Sequence, residues 1–490
     1  MKKSILVGLL LFIFSFKVGA TEYLVGSITE FENVLTKAKP GDIIIWKDGV
    51  YSDVKIDFSP FFNGTLEKPI VLKAQTAGKV SFSGRSQLFI SGNYLVVEGL
   101  LFEGKCTLEN NENVVNFKSK DKKINNEANH CRLTNCGIIN YSQTEESGIK
   151  NYYINLIGTY NEVDNCTFIG KLNAGPTLVI EYKQDKDYVP GSEGAPSSFH
   201  HIHHNYFGYR TYSSNGGEQI RVGTSTTSFT HGFNLVEYNY FEDERIEAEI
   251  ISNKSWDNIY RFNTFIGNDG AMVLRHGQKC FVYGNYINGK SGRNRSGGLR
   301  VINANNTLFN NYLDEIEGGK GNSKVPISIM VGLKDSPLNG YYPADNAIVA
   351  YNIVVNSYGP AIKMGVSNKD VNKQTVAPKN VVLVGNTIIN SIGDNDSPYE
   401  LIDNTTTFEI KDNLFTNGKT SESGFSFVNL NEFSLQNGIY KVKTKIDSKV
   451  FDEINKRLSI HGIKLSSKEI TDFNPNWILK KKDVGVNWIK

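Results

Sequence analysis

The chain has 490 residues, 39% of them hydrophobic and 21% charged, with 53 Lys and Arg against 51 Asp and Glu. This is the composition of an ordinary globular protein and excludes a disordered or collagen-like chain. The near balance of charge also excludes a partner held by overall charge, nucleic acid above all, so any attraction for a polyanion has to be local.

Residues 1–20, MKKSILVGLLLFIFSFKVGA, begin with two lysines, pass through a short apolar run and end in small residues at Ala20. That pattern is read as a secretory signal peptide, too short and wrongly flanked for a membrane span. Its removal would leave 50 basic and 51 acidic residues, and the expected location is secreted or periplasmic. No cysteine follows the cleavage point to carry a lipid, and no later segment is apolar enough to cross a bilayer. Residues 27–39, SITEFENVLTKAK, predict an amphipathic helix with Ser27 or Thr29 as N-cap and Glu30 or Glu32 three residues on. The following PGDIIIWKDGVY turns into the first strands.

From there a motif with a central asparagine recurs, as in TNCGI, DNCTFIG, HHNYFG, EYNYFE, RFNTFIG and VGNTIIN. Its asparagines are Asn135, Asn165, Asn205, Asn239, Asn263, Asn285, Asn311, Asn352, Asn386 and Asn413, at intervals of 22 to 41 residues. A short minimum interval with variable excess is what stacked coils with unequal loops produce. Each unit holds β-branched and aromatic runs cut by Gly and Asn, without helical periodicity. Asparagine tolerates the left-handed conformation at a tight bend, and identical side chains can stack in hydrogen-bonded ladders. The expected fold is all-β, a single right-handed parallel β-helix with an N-terminal helical cap. A propeller is disfavoured by the irregular spacing. The division is a signal over 1–20, the β-helix over 21–430 and a capping segment over 431–490, where the motif fades. Cys136 and Cys166 occupy matching contexts, which favours buried thiols over disulfides for the five cysteines.

RIEAEIISNKS, residues 245–255, alternates aliphatic and acidic residues, which on a strand puts Glu247 and Glu249 on one face. Glu249 is ten residues after Asn239 as Asn215 is ten after Asn205, so the two occupy equivalent places in adjacent coils. Lys254 and Arg275 follow at similar offsets one coil apart. Two carboxylates and an amide form a hard-oxygen set suited to Ca²⁺; an isolated Glu-x-Glu would be read as solvated or ion-paired, and it is the stacked neighbours that favour function. The combination suits a uronic acid polymer: a cation neutralises the uronate carboxylate, a base takes the C5 proton, and the C4–O bond breaks by β-elimination. Lys254 can act as that base if nearby positive charge lowers its pKa. Arg275 could stabilise the leaving oxygen.

Residues 275–300 carry six Lys or Arg and no acid, enough for a local basic groove. Arg300, in the strand-like GGLRVIN, is a candidate for substrate contact, and so is Arg221 of NGGEQIRVG. In FHHIHHNYF, His201 and His203 share one strand face and His200 and His204 the other, so four ligands cannot converge on a metal, and structural or stacking roles are expected. His276, next to Arg275, is the better functional histidine.

NGGEQIRVG, EAEIISNKS and LRHG, with the spacing Asn215, Glu247-x-Glu249-x4-Lys254 and Arg275-His276, together resemble polysaccharide lyase family 6, the alginate lyases and chondroitinase B. The likeness runs from KPGDIIIWKDGVY to DVGVNW. It implies Asn215, Glu247 and Glu249 as Ca²⁺ ligands, Lys254 as Brønsted base, Arg275 as the acid, and Arg221 and His276 near the substrate. SGGLRVINANNTLFNNYL looks more like the alginate lyase branch, so the expected activity is alginate lysis with an acidic polysaccharide as partner. The alternatives are a dermatan sulfate lyase like chondroitinase B, a non-catalytic polysaccharide-binding β-helix, and a hydrolase, which would use an acid pair instead of a lysine.

Overall fold

The computed structural model describes residues 20–121, 127–210, 216–245, 248–290, 295–318, 324–367, 373–389, 397–402 and 408–489. Most of the expected signal peptide, and Asn215 and Glu247 of the expected site, lie outside them. Among the described residues the strands form three long sheets of 14, 14 and 12 strands, each paired in parallel throughout. Neighbours within a sheet are successive visits of the chain, so the backbone winds as a parallel β-helix. The first sheet runs from Glu22–Val25 to Phe408–Lys411, the second from Gly49–Ser52 to Phe425–Phe427, and the third from Lys55–Phe58 to Tyr399–Leu401.

Period-2 alternation sends one residue of each pair inward, and the inward set makes one continuous apolar core from Val25 to Phe415. Phe207, Phe241 and Phe265 stack inside it with ring centroids 4.8 and 4.6 Å apart, close to the coil spacing. All five cysteines are free and buried. The N-terminal end is covered by the helix Ile28–Leu35, capped by Ser27, whose hydroxyl accepts from the Glu30 N–H, while Phe31, Val34 and Leu35 face the first coil. No helix among the described residues is long and apolar enough to cross a membrane.

The asparagine ladder is real but shorter than the motif. Side-chain amides link Asn205, Asn239, Asn263, Asn285, Asn311, Asn352, Asn386 and Asn413 at 2.9–3.1 Å. Asn135 and Asn165 stand outside it. They hold left-handed backbone, φ 52° and 49°, and the buried rung next along is a cysteine, the Cys166 N–H donating to Asn205 Oδ1. In the ladder coils the left-handed residue is instead the one before the asparagine, such as His204, Tyr238 or Phe262. Bend and ladder are thus separate jobs done by neighbouring residues. At another corner Tyr94, His130, Tyr160, Phe199 and Phe233 all take φ of 51–54° and stack with centroids 4.7–5.3 Å apart. Ring stacking there offsets a backbone conformation that costs a non-glycine residue about 1–2 kcal/mol.

Beyond the last coil the chain turns back along the outside. The helix Ser448–Leu458 lays Val450, Ile454 and Leu458 on the outer face of the first sheet, against residues such as Phe309 and Tyr351. Phe473 then meets Tyr312, Trp477 meets Phe262, and Lys481 pairs with Glu242. Further back the Val486 N–H donates to Thr167 Oγ1, and Trp488 Nε1 donates to Asn135 Oδ1 at 3.0 Å. The Trp488 ring covers Gly78 (φ 76°) so closely that a Cβ there would lie 2.3 Å from it, which makes glycine obligatory. This strap reaches much further back than the final coils.

Candidate active site

The strands Ile220–Val222, Glu249–Asn253, Gly270–Leu274 and Ser296–Val301 are consecutive in the third sheet. Ile220, Ile251, Met272 and Leu299 join the core, which turns the alternate residues outward. Register sets Arg221 opposite Ser252, Ser252 opposite Val273, and Val273 opposite Arg300. The two arginines are thus three coils apart in one outward column, about 14 Å at the usual strand spacing. Lys254 and Arg275 each follow the last residue of their strand. The Lys254 N–H donates to the Val222 carbonyl and the Arg275 N–H to the Asn253 carbonyl, so the two occupy the same corner of adjacent coils.

Glu249 lies between these cations. Arg300 Nη2 donates to its Oε1 at 2.7 Å, the Ser252 hydroxyl donates to its Oε2 at 2.5 Å, and Arg275 Nε stands 3.8 Å from Oε1. Burial would raise the Glu249 carboxyl, but Arg300, Arg275 and Lys254 outweigh it and hold the group below its usual range, as a carboxylate. Arg275 is held from outside the sheet: its guanidinium lies 4.0 Å from the Tyr341 ring and donates to the Gly340 and Asn339 carbonyls. Arg221 likewise donates to the Tyr152 hydroxyl at 3.1 Å.

The Lys254 amine makes no hydrogen bond or ion pair among the described residues. Burial pushes its pKa below the ordinary lysine value, Arg221 and Arg275 push the same way, and Glu218 and Glu249 oppose them. His276 is buried, with Nε2 3.3 Å from the Ser225 hydroxyl. Burial, with Arg275 and Lys254 adding to it, pushes its pKa down to about 2, so it is neutral. Among the described residues of the expected basic run, Arg275 and Arg300 reach the site, and Arg293 lies outside them. Lys279 lies over Trp256, and Arg295 is mostly exposed near Asp269.

Glu218 is a member that the sequence reading missed. It is only 4% exposed, and its Oε2 has no hydrogen-bond partner among the described residues. A buried carboxylate oxygen left open beside Glu249 and Lys254 is the donor chemistry that a hard divalent cation takes. Of the three expected metal ligands only Glu249 is among the described residues, and it fits such a role together with Glu218. The signal that could have found Glu218 was its place in NGGEQIRVG, two residues before the inward Ile220. Tyr341 and Tyr152 had none, because loops from distant parts of the chain bring them in.

The family model described as chondroitinase B matches residues 25–465. The chain belongs to that family, polysaccharide lyase family 6. Among solved structures, this family member is similar to the PL6 alginate lyase AlyGC, at 31% identity with TM-score 0.79, covering 96% of this chain and 59% of that one. It thus spans under two thirds of AlyGC. It is also similar to a mannuronic acid specific family 6 lyase from human gut microbiota, at 25% identity and TM-score 0.74, covering 96% of both chains. A PL6 polysaccharide lyase from Pseudopedobacter saltans shares the fold at 24% identity and TM-score 0.69, over 95% of this chain and 99% of that one. None of the curated proteins compared with the chain matches it.

Proposed function

We propose that this family 6 protein is an alginate lyase acting by β-elimination, with Lys254 as the base. The observation that carries this reading is a desolvated amine, unpaired among the described residues, at the same coil corner as Arg275 and beside a carboxylate, Glu249, held ionised by its neighbours. The likeness to structures named as alginate lyases supports the substrate, and an extracellular polymer agrees with the expected secretion signal.

A divalent cation such as Ca²⁺, held by Glu249 and Glu218 with Asn215 and Glu247, would neutralise the uronate carboxylate and so acidify the C5 proton. Arg221 and Arg300 flank that point along the outward column and give a polyanion two of its contacts. The neutral Lys254 amine takes the C5 proton. The C5–H electron pair becomes the C4–C5 double bond as the C4–O bond breaks. Arg275, fixed by Tyr341 and the Gly340 carbonyl, faces the departing oxygen and stabilises its charge, and water returns the proton, since a guanidinium scarcely gives one up. His276, neutral and buried next to Arg275, takes no part in the proton transfers.

Ultraviolet absorbance of the unsaturated product tests the reading directly. Alginate should give a steady rise, Lys254→Ala should lower the rate by about 10²–10⁴-fold while substrate still binds, and a chelator should report the need for the cation. The chondroitinase B description of the family model favours dermatan sulfate as the second substrate to try. Activity on neither polymer would leave a polysaccharide-binding β-helix as the better account.

A further inference from the structure

On the first sheet, away from the Lys254 corner, the histidine run makes a second cluster. Val163 and Ile202 point into the core, so Glu162 and Asp164 face outward on one strand and His201 and His203 on the next. Register sets Glu162 opposite His201 and Asp164 opposite His203. One ligand atom from each of Glu162, His201 and His203 lies within 4.8 Å of the other two. His203 Nε2 is 2.7 Å from Glu162 Oε1, and the two imidazoles lie 4.0 Å apart centre to centre.

The surrounding charges leave this trio available. Asp164 is committed to Arg132 by two hydrogen bonds of 2.7 and 2.6 Å, and Glu237 to Arg261 at 2.6 Å. Arg132 reaches Glu162 only at 3.6 Å. Glu237 also touches His201 Nε2, at 3.0 Å. The three carboxylates and two guanidiniums around the histidines sum to one negative charge. His203 is oriented from behind, its Nδ1 lying 2.8 Å from His204 Nδ1. If the His203 Nδ1–H donates to His204, the lone pair of His203 Nε2 is turned toward Glu162, the ring-orienting contact that metal-binding histidines use. Exchanging tautomers between the two rings reaches that state without a net change of protons.

We propose that Glu162, His201 and His203 form a binding site for a borderline transition-metal ion, Zn²⁺ by preference, with water as the fourth ligand. Two imidazoles and one carboxylate suit Zn²⁺, whereas Ca²⁺ requires more oxygens than this face offers. Tetrahedral coordination needs ligand atoms about 3.3 Å apart, so the trio closes by a small rotation of His201, the most exposed member. The ion would clip together two coils joined through the 181–200 excursion. The site is independent of the lyase reading and separate from its cation.

The test is titration of untagged, metal-stripped protein with Zn²⁺ by calorimetry and with Co²⁺ by visible spectroscopy, both in excess Ca²⁺. The wild type should bind one equivalent, show the d–d bands of four-coordinate Co²⁺ and gain thermal stability with Zn²⁺. His203→Ala and Glu162→Gln should each weaken binding at least tenfold and lose the bands, while Lys254→Ala keeps them. His201→Gln serves as a further surface variant should either of those fold poorly. No stoichiometric binding by the wild type would overturn the proposal. Binding retained in the variants would overturn it too, by moving the ion to other residues such as His231 with Asp257.

Discussion

The role proposed for Lys254 requires a neutral amine and so ties the rate to pH. Burial lowers the Lys254 pKa from 10.5, and Glu218 and Glu249 restore part of the loss. Below that pKa the amine is charged, so kcat/KM should fall about tenfold per pH unit, and the midpoint of the acid limb reports the group. Glu218→Gln removes a negative neighbour that favours the protonated form. The midpoint should therefore move to lower pH, and the Ca²⁺ concentration giving half-maximal rate should rise. A midpoint that stays in place would separate Glu218 from the amine. Arg275 is constrained in a different way. Its planar group is stacked on Tyr341 and forked onto two carbonyls, contacts that a lysine cannot reproduce.

At the scale of the coil, the ladder asparagines carry the repeat. Asn311 Oδ1 accepts from both the backbone N–H and the side-chain amide of Asn285, and its own amide donates to the Val282 carbonyl and to Asn352 Oδ1. Asn311→Ala strands buried donors and acceptors on two coils and should cost about 1–3 kcal/mol, read as a lower denaturant midpoint at unchanged slope. Such repetition is why the fold was legible: the same amide at the same place in eight successive turns leaves a period in the sequence. The reading slipped at Asn135 and Asn165, because a left-handed bend and a ladder rung both favour asparagine and composition alone does not distinguish them. For the site, register arithmetic brought Lys254 to Arg275 and both to Glu249, since strand pairing preserves offsets within a coil. It missed Tyr152 and Tyr341, whose loops follow no period, and Glu218, whose burial comes from packing. Likewise Glu162 met His201 and His203 only once register joined their coils, which lie 39 residues apart.

For the molecule as a whole, buried histidines set the response to acid. Burial pushes His200 down to about 3, and His276 lies at about 2. Above about pH 6.5 the imidazoles are neutral in both folded and unfolded chains and contribute nothing to the pH dependence. Below it the unfolded chain takes up protons that the folded one refuses, so stability is lost as pH falls toward the folded values. Each group should remove about 2 kcal/mol between pH 6.5 and 5, measurable by denaturant unfolding at the two pH values. His200→Asn should flatten that dependence by roughly half of the pair's share.

The tail that ends at Trp488 has a bearing on how the chain is made. Trp488 bonds Asn135 across 353 residues of sequence. A stack of coils can wind up turn by turn as it leaves the ribosome, each turn needing only the one before it. The strap cannot form until almost all of them exist. The early turns therefore wait, wound but unfastened on one side, until the strap residues have been made. Once the strap is down, a turn that would otherwise fray alone at one end is tied to turns far along the axis, and the coils open together or stay shut.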